Sequence, residues 1–519
     1  MAKKIIYFLL FALSFLLVYA VLSRSFDVDL GWHLRFGQSF WQSGRFPYAD
    51  TGTWTYFGRE WVNHEWGGDL LAWPIYAAFG YLPLVFITAF ALWSSFLIIL
   101  HVFRQKISAP ALAAVIFCIW AVENVAVVRL TMIMPLFLAL LIWHLENLPS
   151  KKWVKYALPV LLWAWSWIHG SWILGFIVIA CYILGNAALL YSKKLRRYFS
   201  PPRWNKKDAI RAGGSGLAGA FLIFINPYGY KLYAEVLQYF SLDYYKTKIV
   251  EWLPSFAAPV SARNLLLMAV FAAAGLLFLR RRRRPYLPHL LLALGFFCAA
   301  LMYKRQIILV ALLSAPLLAK IFNCAADFVY NKFFAAEPKS FLYRYCAASC
   351  ILSLSLGALL ILDQSRWPLD IWSETGNLGR IGMPVEAVKF LQKNIPPGPA
   401  RFFNEFSWGG YLSWQLPQAL LFLDGRGPAT WMQPGATSTL LEQYIGLSQN
   451  PARADCFPAS FSIDYVILAA PQEKNTALGR LRLYAAHPSP LIDCLQSSPR
   501  WAKIYADDMA LVWKRSPAR

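Results

Sequence analysis

The strongest constraint on this chain is the recurrence of apolar runs of about 17 residues or more, the length at which a helix crosses a bilayer. Inside hydrocarbon no water satisfies the peptide groups, so each run has to close its hydrogen bonds within itself, as a helix. Spans are expected at 5–22, 82–103, 109–125, 130–147, 155–170, 171–191, 213–227, 263–279, 286–303, 306–323 and 344–362, about eleven in all. Residues 69–80 fit a re-entrant or interfacial helix. The first run follows Met1-Ala-Lys-Lys with no small-residue cleavage site after it, and reads as an uncleaved span rather than a signal peptide. The chain is 58% hydrophobic and only 15% charged, too apolar for a soluble protein. The fold class is a polytopic α-helical membrane protein.

Charge sets the orientation. Lys3/Lys4, Arg104/Lys106, Lys151/Lys152/Lys155, the 193–211 stretch, Arg280–Arg284 and Lys332–Arg344 fall on one side if the spans alternate. The positive-inside rule makes that side the cytoplasm, with the N-terminus in and the tail out. Of the net +23, residues 1–363 carry +20 (35 basic less 15 acidic) and the tail +3 (15 less 12). The excess is therefore topogenic and suited to anionic lipid. Arg280–Arg284 reads as a stop-transfer anchor, and no nucleic-acid partner is expected.

Residues 1–363 form the membrane domain, with a first external loop at 23–68, and 364–519 form a small external α/β domain. In the tail, Val385–Asn394 has the spacing of an amphipathic helix ended by Pro-Pro-Gly. Ala419–Asp424 and Asp464–Ala469 read as buried strands, and Ala502–Asp507 with Ala510–Lys514 as a hairpin around Asp508-Met509. Only Cys456 and Cys494 lie in this exported part, where they either pair as a disulfide or stay as two free thiols. No cysteine pair has zinc-ligand spacing. Gly214-Ser-Gly216-Leu-Ala-Gly219 matches a dinucleotide fingerprint by letters, but it follows a basic loop and opens a membrane helix, so close helix packing is the better account.

The unusual polar residues gather on the outer face. Asp27 and Asp29 stand where the first span surfaces. They share a side if that stretch is extended, whereas Asp29 and His33 share a face if it is helical. Asp50 and Asn63-His64-Glu65 follow in the same loop. Acids with imidazole suit Mg²⁺ or Mn²⁺ better than zinc, with Asp29, His64 and Glu65 as ligands. Opposing them, Arg129, Lys304 and Arg305 suit a phosphate, and His169 ends a span on the same face. Each has a plainer reading as well. Asp27 and Asp29 could be solvated at a helix end, Asp50 a turn residue, and His64-Glu65 a cap. His169 could be packed, and Lys304/Arg305 an ordinary external turn. Acids to activate a hydroxyl beside cations for a phosphate, at a lipid-facing site, fit transfer from a lipid-linked phosphate, with one acid as general base.

The residues also carry a family likeness. FDVDLGWHLRFG (Phe26–Gly37) and GRFPYADTGTWTYFGREWVNHEW (Gly44–Trp66) resemble the first external loop of GT-C superfamily glycosyltransferases, polytopic enzymes that take sugar from polyprenyl-phosphate carriers. Asp-x-Asp followed by Trp-His-x-Arg is most similar to oligosaccharyltransferase catalytic subunits. The layout is closer to protein mannosyltransferase-like and galacturonosyltransferase-like bacterial members. Trp408–Leu412 (WGGYL) and Asp424–Arg426 (DGR) are similar to tail motifs of further bacterial relatives. The likeness spans most of the chain in layout but is specific only in the first loop. It implies that Asp27 or Asp29 is the catalytic or metal-binding acid, and that Asp50 and His64-Glu65 match a second acidic or histidine element. The tail has no Trp-Trp-Asp-Tyr-Gly motif, so the resemblance does not extend to reading Asn-x-Ser/Thr sequons.

The expectation is an inverting glycosyltransferase of a bacterial inner membrane, acting on its outer, periplasmic side. Its donor would be a polyprenyl-phosphate-linked sugar and its acceptor a glycan, lipid or protein. Asp27, Asp29, Asp50, His64 and Glu65 are the catalytic candidates, and His33, Arg129, His169, Lys304 and Arg305 the substrate-binding ones. A flippase of lipid-linked glycans is disfavoured by the apolar cytoplasmic halves of the spans. A non-catalytic envelope assembly protein would tolerate loss of Asp27 and Asp29.

Overall fold

The computed structural model describes residues 2–23, 27–241, 249–280, 284–333, 382–426, 437–452, 455–458, 460–471 and 490–517. In chain order the helices are α1 (Ala2–Leu22), α2 (Leu30–Ser43), α3 (Trp66–Phe79), α4 (Leu82–Val102), α5 (Ala109–Ala121), α6 (Met134–Asn147) and α7 (Val154–Ile168). Next come α8 (Ile173–Tyr191), α9 (Leu195–Tyr198), α10 (Lys206–Ile223), α11 (Lys231–Ser241), α12 (Ala262–Arg280), α13 (Leu287–Met302) and α14 (Ile307–Phe333). The tail runs α15 (Val385–Asn394), β1 (Ala400–Asn404), α16 (Gly409–Gln415), β2 (Ala419–Leu420), α17 (Leu440–Gln449), β3 (Tyr465–Ala469), α18 (Pro490–Ser497), β4 (Trp501–Ala506) and β5 (Ala510–Arg515).

Every expected span but the last falls on a helix; 344–362 lies outside the described residues. Among the described residues, three helical segments are long and apolar enough to cross a bilayer by themselves, Leu82–Val102, Gly170–Tyr191 and Lys304–Phe328. Others, such as Ala109–Ala121 and Met134–Asn147, are apolar but shorter, which the tilt and local thinning of a bilayer accommodate. Starts are set by capping. Ser108 Oγ accepts from the Ala111 amide ahead of α5, and Asn205 with Asp208 makes a reciprocal capping box at α10.

The chain forms two compact units. One comprises Met1–Ser25, Leu82–Tyr230 and Asp243–Ile371, the other Phe26–Tyr81, Lys231–Leu242 and Trp372–Arg519. Composition suggests one cut near residue 363, but packing groups the first loop and α11 with the tail.

In the helical unit α5 lies against α14, α7 against α10, and α4 against α6. Of the glycine run in α10, Gly219 makes the close helix contact. A Cβ there would stand 2.6 Å from Leu162 Cδ1 and 3.2 Å from Leu162 Cβ, so glycine lets α10 approach α7 closely. Glu146 at the end of α6 receives the Tyr182 hydroxyl at 2.8 Å, His289 Nε2 at 2.8 Å and Arg203 Nη1 at 2.5 Å, and so ties α8, α13 and the loop before α10 to α6.

The second unit is built on a five-stranded sheet of order β2-β1-β3-β5-β4. β1 runs parallel to β2 and β3, and β5 is antiparallel to β3 and β4. The amphipathic helix at Val385–Asn394, the strand in 464–469 and the terminal hairpin all form. The run 419–424 gives only the two-residue strand β2, because Phe422 and Leu423 bond the Asn404 side chain instead of a neighbouring strand. Cys456 and Cys494 are joined in a disulfide. The first loop continues the sheet edge. The Leu421 amide donates to Gly52 O and the Trp54 amide to Leu421 O, Trp54 Nε1 donates to Phe402 O, and Thr55 Oγ1 donates to Phe422 O.

Replacing Gly219 by Val forces the α7–α10 contact apart and costs about 1–3 kcal/mol. We expect the full chain in detergent to melt several degrees lower, whereas Gly275→Val, where a Cβ meets nothing within 4 Å, leaves the midpoint near wild type.

Candidate functional site

The acids of the first loop are held by a turn and a helix start. Asp27 is buried, and its Oδ1 accepts the Asp29 amide at 2.9 Å. Asp29 occupies the N-cap position of α2. The helical alternative therefore holds from Asp29 onward. His33 turns to α3, with Nδ1 2.6 Å from Asp69 Oδ1 and Nε2 3.2 Å from Glu65 Oε2, and its ring stacks on Trp32 at 3.6 Å. Asn63 Nδ2 bonds the other Asp69 oxygen at 2.6 Å, Asn63 Oδ1 accepts the Glu65 amide, and His64 Nε2 stands 3.6 Å from Glu65 Oε1. His33, His64 and Glu65 thus share one cluster, and sequence spacing missed the Asp69 at its centre. The signal was there: Asp69 lies four residues after Glu65, in the first turn of an otherwise apolar helix.

Asp29 meets the tail. The DGR turn brings Gly425 against it, so that a Cβ on Gly425 would lie 2.0 Å from Asp29 Oδ1. The WGGYL segment opens α16, and its glycines let α16 cross α2 backbone to backbone: a Cβ on Gly31 would stand 2.2 Å from Gly410 O. A Cβ on Gly409 would stand 2.6 Å from Asp424 Cα. The two tail motifs and the first-loop motif are therefore parts of one packing arrangement, which only glycine permits.

Asp50 belongs to a different cluster. It is fully buried; Oδ1 accepts the Gly52 amide, and Oδ2 accepts the Thr53 amide and hydroxyl. Oδ1 also pairs with Arg426 Nη1 at 2.6 Å, while Asp424 takes Arg426 Nε at 2.8 and 2.9 Å. Burial alone would lower the Arg426 guanidinium, but Asp424 and Asp50 more than reverse this and hold it above its already high value.

The expected ligand set Asp29, His64 and Glu65 is not assembled. Among the described residues no group of three or more His, Cys, Asp or Glu side chains is arranged to hold a metal ion. Glu65 directs one oxygen to each of two imidazoles, and Asp29 lies against the tail turn.

The remaining candidates lie in the helical unit. His169 ends α7 and its Nδ1 accepts the Ser171 amide. Arg129 precedes the short helical turn Leu130–Ile133 that leads into α6. Lys304 Nζ donates to Pro259 O at 3.0 Å, while Arg305 pairs with Glu251 at 3.6 Å and lies over the Trp252 ring. The adjacent cations thus diverge, because a helical turn sends neighbouring side chains apart.

One titratable group escaped the sequence altogether. Lys231, Glu235 and Tyr239 form one face of α11, and they meet the first loop: Lys231 Nζ bonds Glu60 at 2.5 Å, and the Tyr239 ring packs edge-on to His64. Between them Glu235 is 4% exposed, and its Oε1 has no hydrogen-bond partner among the described residues. Burial pushes its carboxyl from 4.5 up to about 8.

Arg426→Ala strands two buried carboxylates and should cost about 3–5 kcal/mol, read as a lower midpoint of tryptophan-monitored unfolding. Replacing all three partners together (Asp50→Asn, Asp424→Asn, Arg426→Met) should recover part of that loss. Glu235 keeps a proton when folded that the unfolded chain has released between pH 4.5 and about 8. Stability should therefore fall across that window, by a few kcal/mol at most, and level off above it. Glu235→Gln should flatten the pH dependence.

The sequence matches no protein-family model and no curated protein sequence. Solved structures do share its fold. The archaeal oligosaccharyltransferase AglB from Archaeoglobus fulgidus, in complex with an inhibitory peptide and a dolichol-phosphate, aligns at TM-score 0.53 and 12% identity, over 99% of this chain and 74% of that one. ArnT from Cupriavidus metallidurans bound to undecaprenyl phosphate aligns at TM-score 0.54 and 12% identity, over 99% and 98%. Identity this low carries the fold and not the chemistry. This multi-pass chain shares the fold of these solved structures.

Proposed function

We propose that the protein is an inverting glycosyltransferase that moves a sugar from a polyprenyl-phosphate carrier to an envelope acceptor on the periplasmic side of a bacterial inner membrane. The observation that carries this reading is the contact of Asp29 with the DGR turn, in a chain whose fold is shared with proteins solved with dolichol-phosphate and undecaprenyl phosphate. Asp29 is half-buried and Asp27 fully so, so Asp29 is the base. It accepts the proton of the acceptor hydroxyl as that oxygen bonds to the sugar's anomeric carbon. The carbon–oxygen bond to the carrier breaks on the opposite side, and the electron pair leaves on polyprenyl phosphate. Asp27 accepts the Asp29 amide and fixes the turn.

The His33–Asp69–Glu65–His64 cluster locks α2 to α3 and so orients Asp29, and His64, the most exposed of the four, is the member that meets substrate. Asp50 has both oxygens engaged, and its role is to anchor the DGR turn. Arg129, Lys304, Arg305 and His169 are proposed for the donor phosphate, which opposite charge supports. Among the described residues no ligand set for Mg²⁺ or Mn²⁺ is assembled.

Removing the base should cost about 10²–10⁴-fold in transfer. In a host lacking the gene, a mass-spectrometric profile should show an envelope glycan lost and its carrier-linked sugar accumulated. Wild type should restore the glycan, Asp29→Asn should not, and Gly425→Ala, whose new methyl displaces the Asp29 carboxylate, should restore it poorly. Full rescue by well-expressed Asp27→Asn and Asp29→Asn would replace this reading with that of an assembly protein.

A further inference from the structure

A groove of about 800 Å³ runs along the outside of the helical unit between α7 and α10. The two helices run in the same direction, because Lys155 O accepts from Ser215 Oγ while Trp163 Nε1, further along α7, donates to Ile225 O, just past the end of α10. The groove exists because α10 presents small residues there. Gly214 and Ala218 line it, and a Cβ on Gly214 would meet nothing within 4 Å. Its rims are large, mostly exposed apolar side chains: Tyr156 is 69% exposed, Val160 52%, Phe221 65% and Ile225 61%. On an apolar helix pair of a membrane protein, an exposed surface of this kind suits contact with lipid.

One end of the groove is different. Lys155 and Arg211 line it where the helices start, beside the basic loops. Arg211 Nη1 bonds Asp208 Oδ1 at 3.1 Å, and Asp208 also accepts the Asn205 amide to cap α10; Lys155 Nζ sits 4.7 Å from the centre of the Tyr156 ring. Asp208 is buried while Arg211 and Lys155 are partly exposed, so the cations and not the carboxylate face outward. Eleven residues of helix separate Arg211 from Leu222, about 16 Å. That is roughly half of the 30 Å hydrocarbon core of a bilayer, the depth of one leaflet.

We propose that this groove is a binding site for a phospholipid with an anionic headgroup, drawn from the leaflet that faces the basic loops. The phosphate sits between Lys155 and Arg211, and one acyl chain lies over Gly214 and Ala218 as far as the Trp163–Ile225 contact. The two charges select the headgroup and the small residues make room for the chain. A zwitterionic lipid of equal chain length fills the groove but brings its own cation to the basic end.

The test is native mass spectrometry of the full chain released from mixed micelles holding equal phosphatidylglycerol and phosphatidylcholine with the same acyl chains. Wild type should retain one phosphatidylglycerol with at least tenfold preference. Lys155→Ala with Arg211→Ala should bring the preference below about twofold, and Gly214→Leu should lower retention of both lipids. Lys206→Ala with Lys207→Ala removes the same charge from the same region outside the groove and should leave the preference intact. Equal loss in both double variants would mean diffuse attraction to basic loops and overturn the proposal. Lack of preference in the wild type, or undiminished retention in Gly214→Leu, would overturn it too.

Discussion

The buried ion cluster of Asp50, Arg426 and Asp424 is the interaction on which the second unit depends. Three charges with almost no exposure are tolerable only together, since each alone would carry a desolvation cost of several kcal/mol. The cluster joins residues nearly four hundred positions apart. It fixes the DGR turn against the first loop, and the turn in turn brings Gly425 to the Asp29 carboxylate. Hydrophobic burial could hold loop and tail together in many registers, but a guanidinium between two carboxylates admits one.

Backbone contact reinforces the same register. Gly31 and Gly410 let α2 and α16 touch, Gly409 meets Asp424, and residues 52–55 bond the sheet edge at Leu421 and Phe422. None of these contacts tolerates a side chain or a slip of one residue. The acid site is thus carried by a rigid surface, as positioning a proton acceptor within ångströms demands. The α11 face is a softer fastening, with a surface ion pair, a ring contact and a carboxyl that stays buried while it holds its proton.

Much was legible in the sequence because it depends on local pattern. Apolar run length located the helices, the 3.6-residue spacing located α15, and alternation with turn residues located the terminal hairpin. Gly219 of α10 marked a close helix contact. What stayed hidden required knowing which side chains meet across the chain. Asp50 looked like His64 and Glu65, an acid in the same loop, until its oxygens proved to belong to Arg426 and a turn. Lys304 and Arg305 looked like a pair until a helical turn pointed them at different partners. Glu235 lies in an ordinary amphipathic stretch, and only the packing of α11 takes it out of water.

The sequence by itself determined that the chain is a multi-pass helical protein with a small α/β tail, and that its distinctive residues are the acids after the first span. These follow from transfer free energies and backbone periodicities that act over a few residues. Tertiary structure alone decided that the first loop belongs with the tail, that Asp50 is an ion-pair partner, and that Asp29 faces the DGR glycine. Those outcomes rest on desolvated charges and glycine contacts between segments distant in sequence, where the gain appears only once both sides are in place.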